Sequence, residues 1–516
     1  MLWAALGAAF CIATAGATPS DAQETTLSFK DGSFEVTGPL LGFDGQAYRI
    51  DTRFGVLTIK AAQVTCQGAC PERGDTQIVR MVGSPAMAEV LMPALIDAFA
   101  RSLGLSSTAV QSALPGEVTL EIRGSAGEAL VRYSIRGGGS EAGFAALAAG
   151  EADIVLADRD ATPLERAMLL ETGLGDMASP LRRRLIARRL FRLVVPAGFP
   201  APSLSVGQVL EAARGAVRWS DLGGPDTEFA LAARGEDVAP LRARLAELAA
   251  RAELPLGDLA LSEVADGDGL VQFLSEREGA AVLTHETIFS GRPVSLSHGC
   301  EPGSANRATG DAHPLMVNLW AYTAAPRLPD LGRAFLIFAG GPEAQRVVDR
   351  AGFIDQRPRP IPLADQGERI ARAVVQLSAD ISLSELQGAI ARIRRFDRLS
   401  TVFRFEPGSP RLTRESENEA QSLAAILDAG RFDGRELLFL GMTDSIGAAS
   451  VNAELAQGRA ARAMAQVRRS MATRQDRVIM NAEGLGEVFP LACDDAAWGQ
   501  HVNRRVEVWL GPPVGP

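Results

Sequence analysis

The stretch Gln77-Ile78-Val79-Arg80-Met81-Val82-Gly83-Ser84-Pro85-Ala86-Met87 decides the fold of the centre of this chain. Its first six residues form a largely apolar run, which is typical of a buried strand, and Gly83 ends that run. Proline is favoured in the first turn of a helix, so Pro85 marks the beginning of one. The stretch therefore predicts strand Gln77–Val82 followed at once by helix Pro85–Ser102.

Strands continue to alternate with amphipathic helices from this stretch as far as about Pro362. The next predicted pair is strand Val118–Ile122 and a helix over Gly127–Tyr133. Such alternation is the signature of an α/β domain. We therefore expect an α/β domain over residues 76–365.

The residues before this domain have a different pattern, because apolar and polar positions alternate over residues 25–70. Turn residues interrupt the alternation at Asp31-Gly32, Gly38-Pro39 and Asp44-Gly45. A period of two with such breaks predicts four or five short strands joined by tight turns. We expect a small β module over residues 23–75.

Residues 366–397 are polar, rich in arginine and acidic residues, and predict a helical connector. A second α/β pattern follows over residues 398–516, so the chain combines α/β and α+β domains. Its predicted elements are strand Val402–Phe405, helix Thr413–Leu427, strand Glu436–Gly441, helix Asn452–Met471, and strands near Val478–Ala482 and Val506–Leu510.

Length and charge agree with a multidomain protein that does not bind nucleic acid. A chain of 516 residues exceeds what one hydrophobic core supports, and 47% hydrophobic with 22% charged residues is ordinary for globular domains. The net charge of −10, with no dense basic run, argues against a nucleic-acid partner.

The N-terminus predicts export. Met1–Ala17 is an uncharged, alanine-rich apolar run, too short for a membrane anchor. Small residues at Ser20 and Ala22 suit a signal-peptidase cut before Gln23, although Ala13-Thr14-Ala15 also fits such a site. We expect a signal peptide over residues 1–22.

Four cysteines remain after that cut. Cys66 and Cys70 stand close enough in sequence for a small disulfide loop in an oxidising compartment. The alternative, half of a zinc site, lacks a second Cys or His pair at suitable spacing. We predict a Cys66–Cys70 disulfide; the sequence leaves open whether Cys300 and Cys493, which lie in different domains, stay free.

Four motifs follow one another in the C-terminal region. They are Gly441-Met442-Thr443-Asp444-Ser445-Ile446-Gly447, Asn452-Ala453-Glu454-Leu455-Ala456-Gln457-Gly458-Arg459-Ala460, Gly484-Leu485-Gly486-Glu487 and Asn503-Arg504-Arg505-Val506-Glu507. In order and spacing they resemble the OmpA-like peptidoglycan-binding domain. Met442 and Ala456 depart from it, since the family often has His and Ser there.

The resemblance implies that Asp444 and Arg459 bind the diaminopimelate of the peptidoglycan stem peptide, both from the surface. The chemistry is sensible, because a carboxylate pairs with an ammonium group and an arginine makes a forked contact with a carboxylate. An ordinary surface salt bridge is the alternative for an isolated pair. Asn452 is expected to cap the helix and shape this peptidoglycan-binding loop. Arg504 and Arg505 are expected to be structural.

Several dispersed motifs belong to the central domain. They are Gly83-Ser84-Pro85-Ala86-Met87, Gly137-Gly138-Gly139-Ser140, Gly150-Glu151-Ala152-Asp153-Ile154, Trp219-Ser220-Asp221-Leu222-Gly223-Gly224-Pro225 and Gly341-Pro342-Glu343-Ala344-Gln345. With them, residues 77–362 resemble the phosphate ABC-transporter type (PstS-like) of periplasmic substrate-binding protein. This implies a two-lobed periplasmic-binding-protein fold of type 2, with lobe two over about 190–290.

Four residues of lobe one are candidate ligand contacts. Ser84 and Ser140 stand where helices begin after strands, and free N–H groups with the helix dipole favour an anion there. Asp158 matches a family carboxylate that accepts a proton from hydrogen phosphate, and Arg159 beside it would hold the charge. Ordinary helix capping is the alternative for both serines.

Lobe two departs from the family. Where the family has an arginine followed by a Ser-Gly-Thr turn, this chain has Arg234-Gly235-Glu236-Asp237-Val238-Ala239. Glu236 and Asp237 put negative charge where donors would stand. Phosphate is therefore expected to bind weakly, and either the ligand has changed to one with a cationic group or the module has lost its transport role and serves as a sensor or scaffold.

No enzyme is predicted, and neither a cofactor nor a metal. The four histidines lack His-Glu-x-x-His spacing and no Gly-x-Ser-x-Gly elbow is present. The predicted function is a periplasmic solute-binding protein anchored to peptidoglycan, attached non-covalently to the wall near the outer membrane. It would capture a small anion such as phosphate for an ABC transporter or sensor. The alternative is an envelope scaffold whose central module binds another protein.

Overall fold

A computed structural model describes the chain between residues 24 and 513. Within that range it leaves out 44–46, 53–54, 69, 71–75, 113–114, 180, 216, 289, 299–312, 325–327, 376–380, 407–408 and 474–475. The predicted signal peptide lies outside the described residues. Among those described, no helix has the length and apolar character needed to cross a membrane. The chain divides into two compact units, Met1–Gln77 and Ile78–Pro516.

The first unit contains a five-stranded sheet, which confirms the predicted short strands. The strands are β1 (Glu24–Phe29), β2 (Glu35–Phe43), β3 (Ala47–Thr52), β4 (Gly55–Lys60) and β5 (Val64–Gly68). They lie in the order β4-β3-β2-β1-β5, with antiparallel neighbours. Leu27 and Ile50 are fully buried in its core, as the period-two pattern requires.

The structure confirms the one predicted cysteine pair. Cys66 and Cys70 form a disulfide, as predicted. Cys493, whose state the sequence left open, is also disulfide-bonded; Cys300 lies outside the described residues. The backbone N–H of Cys493 donates a hydrogen bond to the carbonyl of His298 (3.3 Å), so the C-terminal domain packs against the central module at this cysteine.

The second unit begins with lobe one of the central module. Its elements are β6 (Gln77–Gly83), a π-helical turn (Met87–Leu91), α1 (Met92–Ser102), β7 (Ser106–Val110), β8 (Glu117–Arg123), β9 (Ala129–Gly137), α2 (Gly139–Ala148), β10 (Ile154–Ala157), α3 (Pro163–Glu171) and β11 (Arg183–Leu190). The predicted strand and helix at Gln77–Ser102 are present.

The chain then builds lobe two and returns to lobe one. Lobe two contains β12 (Arg192–Pro196), β13 (Leu204–Ser205), α4 (Val206–Arg214), β14 (Ala230–Arg234), α5 (Gly235–Arg251), β15 (Ser262–Val264), α6 (Gly267–Glu276), β16 (Ala280–Thr284), β17 (Gly291–Pro293) and β18 (Leu296–Ser297). Lobe one resumes with β19 (Met316–Thr323), α7 (Asp330–Ala339) and α8 (Pro342–Arg350).

Two separate sheets confirm the two-lobed fold. Lobe one has seven strands in the order β11-β19-β10-β6-β9-β8-β7, and lobe two has five in the order β15-β14-β16-β12-β17. The strand β11 is followed directly by β12, so the chain crosses from one lobe to the other at Phe191.

The helix predicted over Gly127–Tyr133 is wrong, because these residues belong to a turn and to β9, which pairs antiparallel with β8. Val131, Tyr133 and Ile135 are fully buried, whereas Arg132 between them is exposed. That spacing is the period of a strand, and β-branched and aromatic residues favour it.

The last part of the chain begins with β20 (Pro360–Ile361), which was not predicted. The helices α9 (Gly367–Val375) and α10 (Leu383–Ile393) lie in the predicted helical connector. The six predicted elements of the C-terminal domain follow in the predicted order, with the unpredicted helix α13 before the last of them. They are β21 (Asp397–Phe403), α11 (Arg414–Asp428), β22 (Arg435–Met442), α12 (Ala449–Ser470), β23 (Ile479–Gly484), α13 (Ala497–Asn503) and β24 (Arg505–Pro513). The sheet order is β20-β21-β24-β22-β23.

Close packing of β22 against α12 requires a glycine at position 441. A Cβ atom added there would overlap the backbone carbonyl of Ala456, in the middle of α12. Gly458, two residues further along the same helix, would meet only the end of the Arg462 side chain, at 3.6 Å.

These two glycines make a matched test of the packing. Gly441→Ala should lower the free energy of unfolding by about 1–3 kcal/mol, because strand and helix must move apart. Gly458→Ala should raise it by about 0.5–1 kcal/mol, because alanine is the better residue in a helix interior. Urea unfolding followed by circular dichroism measures both, and a Gly441→Ala variant as stable as the native chain would contradict this account of the packing.

Candidate functional site

Asp444 lies just after β22, in the loop that leads to α12. Only 7% of the residue is exposed, so the expectation of a surface position is wrong for it. The reason is its hydrogen bonding. Arg504 donates from Nη1 to Oδ2 (2.6 Å), and the backbone N–H of Ile446 donates to Oδ1 (3.4 Å).

Arg459 lies on α12, half-buried, and among the described residues it makes no ion pair or hydrogen bond. Its guanidinium contacts the ring of Phe405, 5.7 Å from the centroid. Burial lowers the pKa of Arg459 and so does Arg504, whereas the charge of Asp444 raises it. Asp444 and Arg459 therefore lie close enough to interact, and the arrangement leaves a positive group available beside a buried carboxylate.

Two neighbouring residues differ in part from their predicted roles, although Asn452 shapes the loop as expected. Asn452 does not cap α12, whose N-cap is Ala448. Instead its Nδ2 donates to the carbonyls of Asp444 and Ile446, each at 3.3 Å, because Asn452 lies one turn into the helix. Arg504 contacts Asp444 directly, which sequence reasoning missed, although its place in the fourth motif was a signal.

Arg505, in contrast, is structural as expected. It is fully buried and pairs with Glu507 (2.8 Å), a carboxylate that Arg369 also contacts (2.8 Å). Because both arginines neutralise that carboxylate, the pKa of Glu507 is far below its usual value, against the opposing effect of burial.

In lobe one, two of the four predicted residues come together. Ser140, the second residue of α2, donates from Oγ to Asp158 Oδ1 (2.6 Å), and the Asp158 backbone N–H donates to Ser140 Oγ (3.0 Å). Both residues are more than nine-tenths buried. The N-cap of α2 is Gly138, so Ser140 is not an ordinary helix cap.

Ser84 and Arg159 are positioned differently. Ser84 is buried, and its backbone N–H donates to the Leu156 carbonyl (2.7 Å), which ties β6 to β10. Arg159 makes a forked contact with both carboxylate oxygens of Glu165, each at 2.7 Å. Its charge is therefore already neutralised within lobe one.

Glu236 and Asp237 of lobe two, which the sequence predicted to repel phosphate, belong to a closed group of ion pairs. Asp237, the third residue of α5, is fully buried, and its two oxygens contact Arg189 Nη1 (2.8 Å) and Arg234 Nε (3.1 Å). Arg234 also pairs with Glu236 and Glu286, each at 2.7 Å.

The charges of this group shift its titration. Burial raises the pKa of Asp237, and Arg189 and Arg234 oppose that shift. Burial, with the same two arginines, lowers the pKa of His285 to about 3, so this imidazole is neutral at pH 7. Arg189 lies on β11 of lobe one and Asp237 on α5 of lobe two, so their ion pair shows that the two lobes face each other here.

A cavity of about 350 Å³ lies between lobe one, α5 of lobe two and α11 of the C-terminal domain. Its charged lining consists of four acidic residues and two arginines, namely Asp158, Asp160, Glu247, Glu415, Arg159 and Arg244. Both arginines already have acidic partners, Glu165 and Glu247. Asp160 and Glu247 are likewise paired with Arg183 and Arg251 outside the lining, but the lining itself carries two more acidic than basic side chains, which disfavours a small anion.

The C-terminal domain contacts both lobes. Toward lobe one, Glu419 of α11 forms a buried ion pair with Arg188 of β11. Toward lobe two, His501 lies 2.9 Å from an Arg251 nitrogen. Trp498 Nε1 donates to His298 Nδ1 (3.0 Å).

Sequence reasoning missed these contacts between domains. The one sequence feature that could have indicated them is the strand Arg183–Leu190, which contains four arginines and is otherwise apolar.

Comparison with known proteins agrees with this architecture. A model of the PBP superfamily domain matches residues 71–339. The match is to a substrate-binding fold, which is typically non-enzymatic. No curated protein matches the chain.

Three solved structures illustrate the likeness. An ABC-type phosphate transport receptor from Vibrio cholerae is 16% identical, covering 54% of this chain and 100% of that one, with a TM-score of 0.41. A phosphate ABC transporter substrate-binding protein from Clostridium perfringens is 17% identical, covering 54% and 99%, with a TM-score of 0.37. The peptidoglycan-associated lipoprotein from Burkholderia pseudomallei is 26% identical, covering 21% and 89%, with a TM-score of 0.19.

Proposed function

The chain belongs to the PBP superfamily over residues 71–339, and on that basis we propose that it is a periplasmic solute-binding protein. We further propose that its C-terminal domain attaches it to peptidoglycan. The proposal assigns residues 1–22 to a signal peptide, 23–75 to a small β module and 76–365 to the two-lobed solute-binding domain. Residues 366–397 would be the connector, and 398–516 an OmpA-like domain.

One observation carries the wall attachment, namely the half-buried Arg459 without an ion pair among the described residues, beside the buried carboxylate of Asp444. The side chain of diaminopimelate ends in an ammonium group and a carboxylate. Asp444 would attract the ammonium group, and the planar guanidinium of Arg459 would take the carboxylate. Asn452 supports the site through the backbone of its loop.

Removal of the guanidinium tests this attachment. Each charge-assisted hydrogen bond contributes about 1.5–3 kcal/mol, so Arg459→Ala should weaken binding to purified peptidoglycan sacculi about ten- to a hundredfold. Arg462→Ala is the matched control, since Arg462 is exposed on the same helix. Co-sedimentation with sacculi measures both variants, and wall binding by Arg459→Ala equal to that of the control would refute the assignment.

For the solute, we propose contacts in lobe one from Ser84, Ser140 and Asp158, and exclude Arg159 because Glu165 already neutralises it. The acidic cavity lining favours a solute that donates hydrogen bonds or carries a cationic group. Phosphate, which the sequence resemblance implies, is disfavoured by the same charges. An ABC transporter or sensor would be the next partner of such a solute.

Phosphate titration tests this choice of solute. Without charge-assisted donors from lobe two, each worth about 1.5–3 kcal/mol, the Kd for phosphate should be above about 100 μM. Calorimetry on the full chain measures it. A submicromolar Kd that Ser140→Ala abolishes would mean that the protein is a phosphate receptor.

The contacts of the C-terminal domain with both lobes favour a second candidate, an envelope scaffold. A receptor closes around its solute by moving one lobe against the other. Here the Arg188–Glu419 and Arg251–His501 contacts tie both lobes to a third body and restrain that motion. A restrained module is better suited to hold a protein partner than to capture a solute.

Distance measurement distinguishes the two candidates. With spin labels at the exposed positions Arg101 and Arg277, one in each lobe, a scaffold gives a single narrow distribution of distances. Glu419→Gln should broaden it, because Arg188 loses its buried carboxylate. Double electron–electron resonance records both. A distribution that is already broad in the native protein, and unchanged by Glu419→Gln, would favour the mobile receptor.

A further inference from the structure

The carboxylate of Asp237 occupies an unusual position. It lies at the N-terminal end of α5, directly after β14, with no exposure to solvent. Two guanidiniums from different segments hold it, Arg189 at the end of β11 and Arg234 at the end of β14. Each of its oxygens is used by a different arginine.

These surroundings have the chemistry of a site for a small oxyanion. Two arginines supply charge-assisted donors, and the beginning of a helix favours negative charge. Low exposure strengthens both effects, because water does not screen them. Arg189 is nine-tenths buried, and Asp237 is its only ion-pair partner among the described residues. Without that carboxylate, a buried positive charge would have no counterion.

The position faces the cleft rather than the core of lobe two. Arg189 lies on β11 of lobe one, so its ion pair with Asp237 crosses from one lobe to the other, and His285 contributes a neutral ring 3.8 Å from Asp237 Oδ2. Glu236 and Glu286 complete the pairing of Arg234, so two arginines meet three carboxylates. An external anion would therefore meet arginines that are already paired, in a group with no net positive charge.

We infer that Asp237 is a built-in anion, the specificity-determining residue that fills the oxyanion position of lobe two with the chain's own carboxylate. This rests on the proposed solute-binding function and deepens it. The native cleft rejects phosphate and small carboxylates, because Asp237 already holds Arg189 and Arg234. Its solute is selected by the acidic cavity and the Ser140–Asp158 pair instead.

The test removes the carboxylate and offers an anion in its place. Asp237→Ser in the full chain should be less stable than the native protein, and inorganic phosphate should restore stability as it enters the vacated position. The midpoint of thermal unfolding should rise with phosphate concentration for Asp237→Ser. Calorimetry should give it at least tenfold tighter phosphate binding than the native chain shows.

Glu236→Ser is the matched control. It makes the same change of charge one residue away, at a carboxylate that also pairs with Arg234 but is about one-third exposed. It should stay as insensitive to phosphate as the native protein, because Asp237 still fills the position. An equal gain of binding in Glu236→Ser would mean that net charge alone decides, and would overturn the inference.

Two further outcomes are decisive. A folded Asp237→Ser variant that does not respond to phosphate overturns the inference. A variant that fails to fold is refolded with acetate, whose carboxylate matches the lost side chain, or with phosphate; recovery with either supports the inference, and recovery with neither overturns it. Sacculus binding by the same preparation, which depends on Arg459, reports separately whether the wall attachment holds.

Discussion

Three buried arginines on one strand hold the second unit of this protein together. On β11, Arg183 contacts Asp160 (2.7 Å) and lies over the Trp320 ring within lobe one. Arg188 pairs with Glu419 of the C-terminal domain, and Arg189 pairs with Asp237 of lobe two. Burying a guanidinium without a partner costs several kcal/mol in desolvation free energy. That cost is comparable with the free energy of unfolding of a whole domain, so each buried guanidinium needs a partner. The strand therefore requires an acidic residue from each of three bodies.

This requirement explains why a solute-binding fold departs from a simple receptor here. The strand that carries these arginines leads directly into lobe two, where the lobes would hinge. Arg188 ties the hinge strand to a third body, and Arg189 draws a carboxylate into the cleft. The proposed restraint of the lobes and the proposed filling of the anion position would thus both result from the same buried charges.

The sequence predicted local structure well and long-range pairing poorly. Strand and helix periods located the elements around Gly441 and the five strands of the first unit, since each depends on neighbouring residues. The hydrophobic pattern gave a wrong prediction at Gly127–Tyr133, because so short an apolar run fits a helix and a strand equally well. The Arg188–Glu419 pair joins residues 231 positions apart, and nothing local to either residue reveals the other. The burial of Asp444 was missed for the same reason, because Arg504 reaches it from another motif.

The helix α13, which the sequence analysis did not predict, connects the two candidate sites. Its Trp498 donates a hydrogen bond to His298 of lobe two, and Arg504, the residue just after the helix, pairs with Asp444. A cationic group that binds Asp444 competes with Arg504 for the same carboxylate. If binding at one site moves this short segment, it must change the free energy of binding at the other site. The two sites affect each other by the same amount. The proposed wall attachment and the arrangement of the lobes would therefore be linked through α13, whichever solute or partner the lobes hold.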